Sequence, residues 1–228
     1  IITKMIVANW KCNGSKKMIQ DWLRQYMDTF ISSTGSYVGI APPYMYVEHF
    51  LNLINEYGLD IKLGVQDVDK SSGARTSAIS IDMIQDMGCE FTILGHSEKR
   101  IIFNESNENI SEKLDIVIDK VDAIYCIGES AEENNKNQTK DILENQLSII
   151  KGKIISSSFS IAYEPVWAIG TGIVPKSNDL FRTVNFIKKR FQGKLPKVLY
   201  GGSVNTQNIK NLKEINNIDG FLIGGASQ

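Results

Sequence analysis

Glu164, His96 and Lys11 each follow an apolar run, in Ala162-Tyr163-Glu164-Pro165-Val166-Trp167, Leu94-Gly95-His96-Ser97-Glu98-Lys99-Arg100 and Asn9-Trp10-Lys11-Cys12. A carboxylate, an imidazole and an ammonium together suit proton transfer beside a developing negative charge. Apolar neighbours disfavour a carboxylate's charged form and make it a better base, so Glu164 is the candidate base. His96 stands where a strand end enters a short helix. A helix N-terminus disfavours added positive charge, so a neutral ring is expected, able to donate a hydrogen bond and shuttle a proton. The other histidine, His49, lies beside Phe50 in a helical pattern and is read as structural. Lys11 supplies a fixed cation that would stabilise a bound anion and an enolate-like transition state.

Three glycine-rich turns extend the pattern: Gly170-Thr171-Gly172, Gly201-Gly202-Ser203 and Gly224-Gly225-Ala226-Ser227. Glycine lets backbone N–H groups approach an anion closely, and phosphate is the anion such turns suit.

These residues are positioned by an alternation of short apolar runs and helical segments. Strands are expected at Met5–Asn9, Tyr37–Ala41, Ile61–Val65, Phe91–Leu94, Ala123–Ile127, Phe159–Tyr163, Val198–Tyr200 and Phe221–Ile223. Several are nearly continuous in apolar residues, as strands buried on both faces of a parallel sheet must be. Between them lie stripes at helical spacing: Ile19, Trp22, Leu23, Tyr26, Met27 and Phe30; Val47, Phe50, Leu51 and Ile54; Ile110, Leu114, Val117, Ile118 and Val121; Leu180, Phe181, Val184, Ile187 and Phe191. Each gives a helix one buried face. The polar stretch Glu129–Gln138 reads as a loop. Strict βα order predicts one α/β domain over residues 1–228, a closed (β/α)8 barrel. An open doubly wound sheet would carry a G-x-G-x-x-G turn after its first strand, where Asn9-Trp10-Lys11-Cys12-Asn13-Gly14 stands instead. Barrel active sites lie at the C-terminal strand ends, and that is where the polar residues and glycine turns fall.

The totals narrow the partners. The 228 residues carry 25 basic and 26 acidic side chains, a net charge of −1. So balanced a chain has no global charge drawing it to nucleic acid or an anionic membrane, and neither is expected as a partner. Its apolar runs are strand-sized, well below the ~20 residues of a membrane-spanning helix. The N-terminal residues enter a strand without a signal-peptide pattern. Cys12, Cys89 and Cys126 are too widely spaced for a disulfide framework or a zinc site, which reads as reduced thiols in a cytoplasmic protein.

Six segments, in order and at strand ends, resemble the triosephosphate isomerase family: Asn9–Gly14, Leu94–Arg100, Cys126-Ile127-Gly128-Glu129, Ala162–Gly172, Tyr200-Gly201-Gly202-Ser203-Val204 and Gly224-Gly225-Ala226-Ser227. The likeness implies a TIM barrel that interconverts dihydroxyacetone phosphate and D-glyceraldehyde 3-phosphate through an enediol(ate). That step serves glycolysis and gluconeogenesis, in the cytoplasm, with no metal and no cofactor. By resemblance, Glu164 takes the proton alpha to the carbonyl and returns it to the neighbouring carbon. Neutral His96 polarises the carbonyl, and Lys11 stabilises the enediolate. Asn9 and Lys11 hold the substrate, while Gly170, Ser203, Gly224 and Gly225 offer donors to its phosphate. Glu98 orients Lys11 from behind the site, where Ser97 and Cys126 also lie. Pro165–Thr171 looks like a closing lid, which would keep water from an enediol phosphate prone to lose phosphate.

The chain departs from the family pattern at several points. Gly73-Ala74-Arg75-Thr76-Ser77-Ala78 replaces a commoner Gly-Ala-Phe-Thr-Gly-Glu. In the family that loop reaches into a second subunit. Thr76 is kept, so a homodimer through the 71–80 loop is implied, but the usual cross-subunit acid is missing and Lys99 stands where Arg is common. Ile173 replaces a frequent Lys after the lid. The sequence stops at Gln228, directly after strand eight, so a barrel with its final helix missing from this chain is expected. Two rivals stay open. Another barrel enzyme of phosphorylated substrates, such as indole-glycerol-phosphate synthase, shares the phosphate turns but leaves Lys11, His96 and Glu164 unexplained. A catalytically impaired phosphate-binding barrel is separated by a turnover assay.

Overall fold

Short runs rich in Ile, Val, Phe and Tyr become strands here because both of their faces find apolar cover. The computed structural model describes residues 4–29, 37–153, 158–191 and 196–228. The strands are β1 (Met5–Asn9), β2 (Val38–Ala41), β3 (Lys62–Val65), β4 (Phe91–Leu94), β5 (Asp122–Ile127), β6 (Phe159–Tyr163), β7 (Lys197–Tyr200) and β8 (Gly220–Ile223). Each pairs in parallel with the next, and β8 closes on β1 through Met5–Gly220 and Val7–Leu222 registers. The closed barrel is the one expected. Bounds differ by one residue: β5, β7 and β8 start on Asp122, Lys197 and Gly220, ahead of the apolar runs, and β2 and β3 start one residue later.

Alternation along each strand divides the core. Met5, Val7, Phe91, Ile93, Ile124, Cys126, Ala162, Leu199 and Leu222 cluster with Ala41 as the filling of the barrel. The Phe91 ring fits because Gly64 has no Cβ, which would stand 2.4 Å from it. Residues of opposite parity, among them Ile40, Leu63, Tyr125, Ile161 and Phe221, join the helices in an outer core.

The helices are α1 (Lys16–Thr29), α2 (Val47–Tyr57), α3 (Ile81–Asp86), α4 (Ser97–Ile102), α5 (Asn107–Val117), α6 (Ala131–Asn135), α7 (Thr139–Ser148), α8 (Ser177–Lys188) and α9 (Ile209–Lys213). Ile19, Leu23, Phe50, Ile54, Ile110, Leu114, Val184 and Ile187 are buried as their spacing requires. Met27 and Phe181 are not: each sits at the margin of its stripe and is 40% and 39% exposed. Ile118 and Val121 follow α5, and Phe191 follows α8, yet all three pack on the outer core. Phe30 lies outside the described residues. Glu129–Gln138 is not simply a loop. It contains α6, started by a reciprocal capping box in which Ser130 accepts from the Glu133 amide and Glu133 from the Ser130 amide. After β8 a 3-10 turn, Gly225–Ser227, is held by the indoles of Trp10 and Trp22, which donate to Ser227 O at 3.2 and 2.9 Å. Among the described residues, no helix is long and apolar enough to cross a membrane.

Candidate active site

Strand parity delivers the polar residues to the barrel mouth. Asn9 is two residues beyond Val7, Glu164 beyond Ala162, Gly201 beyond Leu199 and Gly224 beyond Leu222, so each continues the inward-facing row of its strand. They meet around a cavity of about 260 Å³ whose wall includes Asn9, Lys11, His96, Glu164, Gly170, Ser203, Gly224 and Gly225. Every residue expected to touch a substrate is therefore in one place. Ser97 and Cys126 lie instead on a chamber of about 200 Å³ behind Glu164, and Glu98 on a groove beside Lys11.

Glu164 is 2% exposed. Its Oε1 lies 3.0 Å from His96 Nε2, and its Oε2 accepts the Ser97 amide at 3.2 Å. Two glycines make room for it. A Cβ on Gly128 would stand 1.7 Å from the Glu164 carbonyl oxygen, and one on Gly201 would stand 2.8 Å from Glu164 Cγ. The Cys126 thiol is buried against the same carboxylate. Burial first, and then the Glu164 charge, push its pKa well up, so it remains a neutral thiol.

His96 caps α4, and its Nδ1 accepts the Glu98 amide at 3.2 Å. That acceptor bond leaves Nε2 to carry the ring proton towards Glu164. Burial disfavours the charged imidazole, but the Glu164 charge, the hydrogen bond to Glu164 and the nearby Glu98 outweigh it and raise the pKa. The raising influences thus depend mainly on direct contact with Glu164. The Nδ1 bond acts the other way, since a proton on Nδ1 would abolish it.

Lys11 is held in a left-handed backbone conformation, φ 53°. Three contacts fix it there. Asn9 Oδ1 accepts the Lys11 amide at 3.0 Å, Gln66 Nε2 donates to the Lys11 carbonyl at 2.8 Å, and Glu98 Oε1 pairs with Lys11 Nζ at 2.6 Å. The ammonium stands near Gly224, whose Cβ position would be 3.9 Å from Nζ. A base, a proton-bearing imidazole, a cation and glycine-rich backbone thus surround one small cavity.

A family model described as Triosephosphate isomerase matches residues 4–228. The chain belongs to the triosephosphate isomerase family. Among curated relatives, a triosephosphate isomerase of Francisella tularensis subsp. mediasiatica is 35% identical over 235 residues, spanning 98% of this chain and 92% of the relative. One of Buchnera aphidicola subsp. Cinara cedri is 37% identical over 239 residues, spanning 100% and 94%. One of Francisella philomiragia is 34% identical over 235 residues, spanning 98% and 92%.

In this member of the triosephosphate isomerase family, the segment after β6 is tied at both ends. It opens with a 3-10 turn, Val166–Ala168. The Ser203 hydroxyl donates to Ala168 O at 2.6 Å and accepts the Gly172 amide at 3.0 Å. Glu129 holds the start of the segment. Its carboxylate accepts Trp167 Nε1 at 3.0 Å and the Tyr163 hydroxyl at 3.1 Å, and its carbonyl accepts the Val166 amide at 3.0 Å. Sequence reasoning quoted Glu129 as part of a motif but gave it no role. The available signal was a carboxylate two residues beyond the end of β5, on the row that continues outward-facing Ile127.

Two of the chain's departures from the family pattern, Arg75 and Lys99, have local partners. Arg75 grips Asp69 with two bonds, at 2.6 and 2.9 Å, inside its own loop. Lys99 Nζ pairs with Asp67 Oδ2 at 3.1 Å. The 71–80 loop walls a groove of about 690 Å³ that reaches Lys11, His96 and Glu98.

Proposed function

We propose that this chain interconverts dihydroxyacetone phosphate and D-glyceraldehyde 3-phosphate by proton transfer through an enediol(ate), with Glu164, His96 and Lys11 as catalytic residues. The observation that carries this reading is their convergence, with the glycine turns after β6, β7 and β8, on a single cavity of about 260 Å³. The phosphate goes to the Gly170, Ser203, Gly224 and Gly225 side, where backbone N–H groups serve an anion. Asn9 and Lys11 hold the rest of the molecule. Glu164 removes the proton alpha to the carbonyl and returns it to the adjacent carbon. His96 gives its Nε2 proton to the carbonyl oxygen and carries protons between the two oxygens. Substrate lying between His96 and Glu164 removes their direct contact. Burial and the Glu98 amide on Nδ1 then favour the neutral ring. Lys11 stabilises the negative charge of the enediolate. No cofactor enters this scheme.

Pro165–Thr171 acts as the lid, with Ser203 as its anchor, and excludes water from the intermediate. Ser97 and Cys126 support Glu164 from behind, and Glu98 orients Lys11. We place the reaction in the cytoplasm, a compartment that suits three unpaired thiols. The working form is a homodimer built on the 71–80 loop. The groove beneath that loop and the exposure of Met45 and Phe103, at 80% and 66%, support such a covered face.

A coupled assay run in both directions tests the activity. Saturable turnover, lost in Glu164→Gln, is expected. Tight binding of a phosphorylated triose without turnover would leave only a phosphate-binding barrel. Light scattering over a dilution series tests the dimer, and a mass of one chain at all concentrations removes it.

A further inference from the structure

On the outer side of the barrel, two cavities of about 490 and 680 Å³ run into one another between α7 and α8, sharing walls at Thr139, Lys140, Arg182 and Thr183. The groove they form touches the start of the lid segment and the stretch that joins the lid to α8. Trp167 lines it from the lid, and Pro175 and Lys176 from the stretch leading into α8. Glu129, which holds the Trp167 indole, lies in the same wall.

The groove is also cationic. Lys140 faces it from α7, Lys176 from the N-cap of α8, Arg182 from α8 itself and Lys189 from its C-cap. None of these four side chains has a carboxylate partner among the described residues. Neighbouring cations do: Lys136 pairs with Glu132, Lys188 with Asp219 and Arg190 with Glu144. Four cations without a carboxylate partner thus line one groove, where Asp179 and the already engaged Glu129 are the acids present. Arg182 and Lys189 are seven residues apart on one helix, on the same face and about 10 Å apart along the axis. A ligand with separated anionic groups can engage both side chains without drawing them together.

We propose that this groove is a second anion site, one that takes a small molecule carrying two or more phosphate groups and restrains the lid when filled. The anion bridges Lys176, at the N-cap of α8, to Lys140 on α7 and Arg182 on α8, across a groove whose wall includes Trp167 of the lid. Charge-assisted bonds of this kind are among the stronger polar contacts. A ligand held there packs against the wall that Trp167 forms and hinders its movement with the lid, so turnover falls even when the catalytic cavity is saturated with triose phosphate.

The lid half of this inference rests on the isomerase reading, while the binding half does not, and the test separates them. Inorganic tripolyphosphate is titrated calorimetrically into the protein in saturating, equilibrated triose phosphate. The comparison is the exposed triple variant Lys140→Gln/Arg182→Gln/Lys189→Gln. Binding to the parent and at least roughly tenfold weaker binding to the variant are expected. In parallel, tripolyphosphate should lower the parent's kcat about fivefold at saturating substrate, the low end of typical coupling between sites. The variant, with the parent's basal kcat, should show competition at the catalytic cavity only. Equal affinity in the two proteins overturns the site. Groove binding with unchanged kcat overturns the lid restraint. A parent without isomerase activity defeats the isomerase reading, and the calorimetric comparison still decides the groove.

Discussion

Lys11 Nζ and Glu98 Oε1 stand 2.6 Å apart at the edge of the catalytic cavity, and Glu98 Oε2 lies 3.6 Å from His96 Nδ1. One carboxylate thus borders both the cation and the imidazole without lining the cavity itself. Removing the cation has two effects: the bound anion loses its partner, and Glu98 is left beside His96 with an unbalanced charge. Lys11→Met keeps much of the side-chain volume. It should weaken binding of a phosphorylated inhibitor and lower kcat as well, because charge is lost in both the ground state and the transition state. Inhibitor titration and initial rates check this, and unchanged values for both would place Lys11 outside the chemistry.

The reach of Glu164 is set by its neighbours. Its carboxylate is held between His96 Nε2 and the Ser97 amide, over a glycine that leaves no spare room. Glu164→Asp withdraws the carboxylate by one methylene, and misplacement of about 1 Å can cost ~100-fold in rate. kcat should fall on that scale while KM changes little. Gly201→Ala should also lower kcat with the Glu164 carboxylate intact, since its Cβ would fall 2.8 Å from Glu164 Cγ. Near-normal kcat in Glu164→Asp would mean that another group is the base.

Ser203 ties Ala168 to Gly172, on either side of Ile169-Gly170-Thr171, through hydroxyl bonds to Ala168 O and the Gly172 amide, and so anchors the proposed lid. Ser203→Ala deletes both hydroxyl bonds without disturbing a strand: the Gly172 end is released, while the Ser203 amide still donates to Ala168 O at 2.9 Å. Turnover should drop, and the share of intermediate lost as inorganic phosphate should rise, because water reaches it more often. Product partitioning identical to the parent's would show that this residue does not keep water out.

The barrel was legible because buried parallel strands leave unbroken apolar runs, and chain order alone then pairs each with the next. The ends were less so: Asp122, Lys197 and Gly220 join their strands through backbone pairing that no apolar signal marks. The site was legible for a related reason. A polar residue two positions beyond an inward-facing one must point into the mouth, as Glu164 does after Ala162. Glu129 escaped because its importance lies in partners distant in sequence, Trp167 and Tyr163. Helix α6 escaped because a five-residue helix has too few positions for an apolar stripe, although its capping box, Ser130 to Glu133, was there to be read. Met27 and Phe181 show the limit of periodicity, which marks a face but not its edge.

Ser77 adopts φ 71° in the 71–80 loop, a conformation that glycine reaches freely and a side chain does not. Ser77→Gly removes that strain and gives back part of the gain through a more flexible unfolded chain. A net stabilisation of about 0.5–1 kcal/mol is expected, seen as a rise in Tm of about 1–4 °C. Thermal melts at fixed protein concentration measure it. A lower Tm would show that the serine makes a contact worth more than its backbone strain.

Glu129 carries a charge in a place that resists it. Burial raises its pKa above the ordinary 4.5, and the hydrogen bonds from Trp167 and Tyr163 only partly oppose the rise. From about 4.5 up to the raised value, the folded protein holds more protons on this group than the unfolded chain does. Stability contributed by the group therefore falls as pH rises through that window, and stays at the lower level above it. In Glu129→Gln the amide oxygen can still accept the Trp167 indole, and the Tyr163 hydroxyl can turn to accept from the amide nitrogen. The variant lacks the titration altogether. Its stability relative to the parent should accordingly increase from acid towards neutral pH and then level off. Denaturant midpoints across that range test it. A difference between the two proteins that stays flat with pH would mean that Glu129 titrates alike in the folded and unfolded states, and that its hydrogen bonds fully offset its burial.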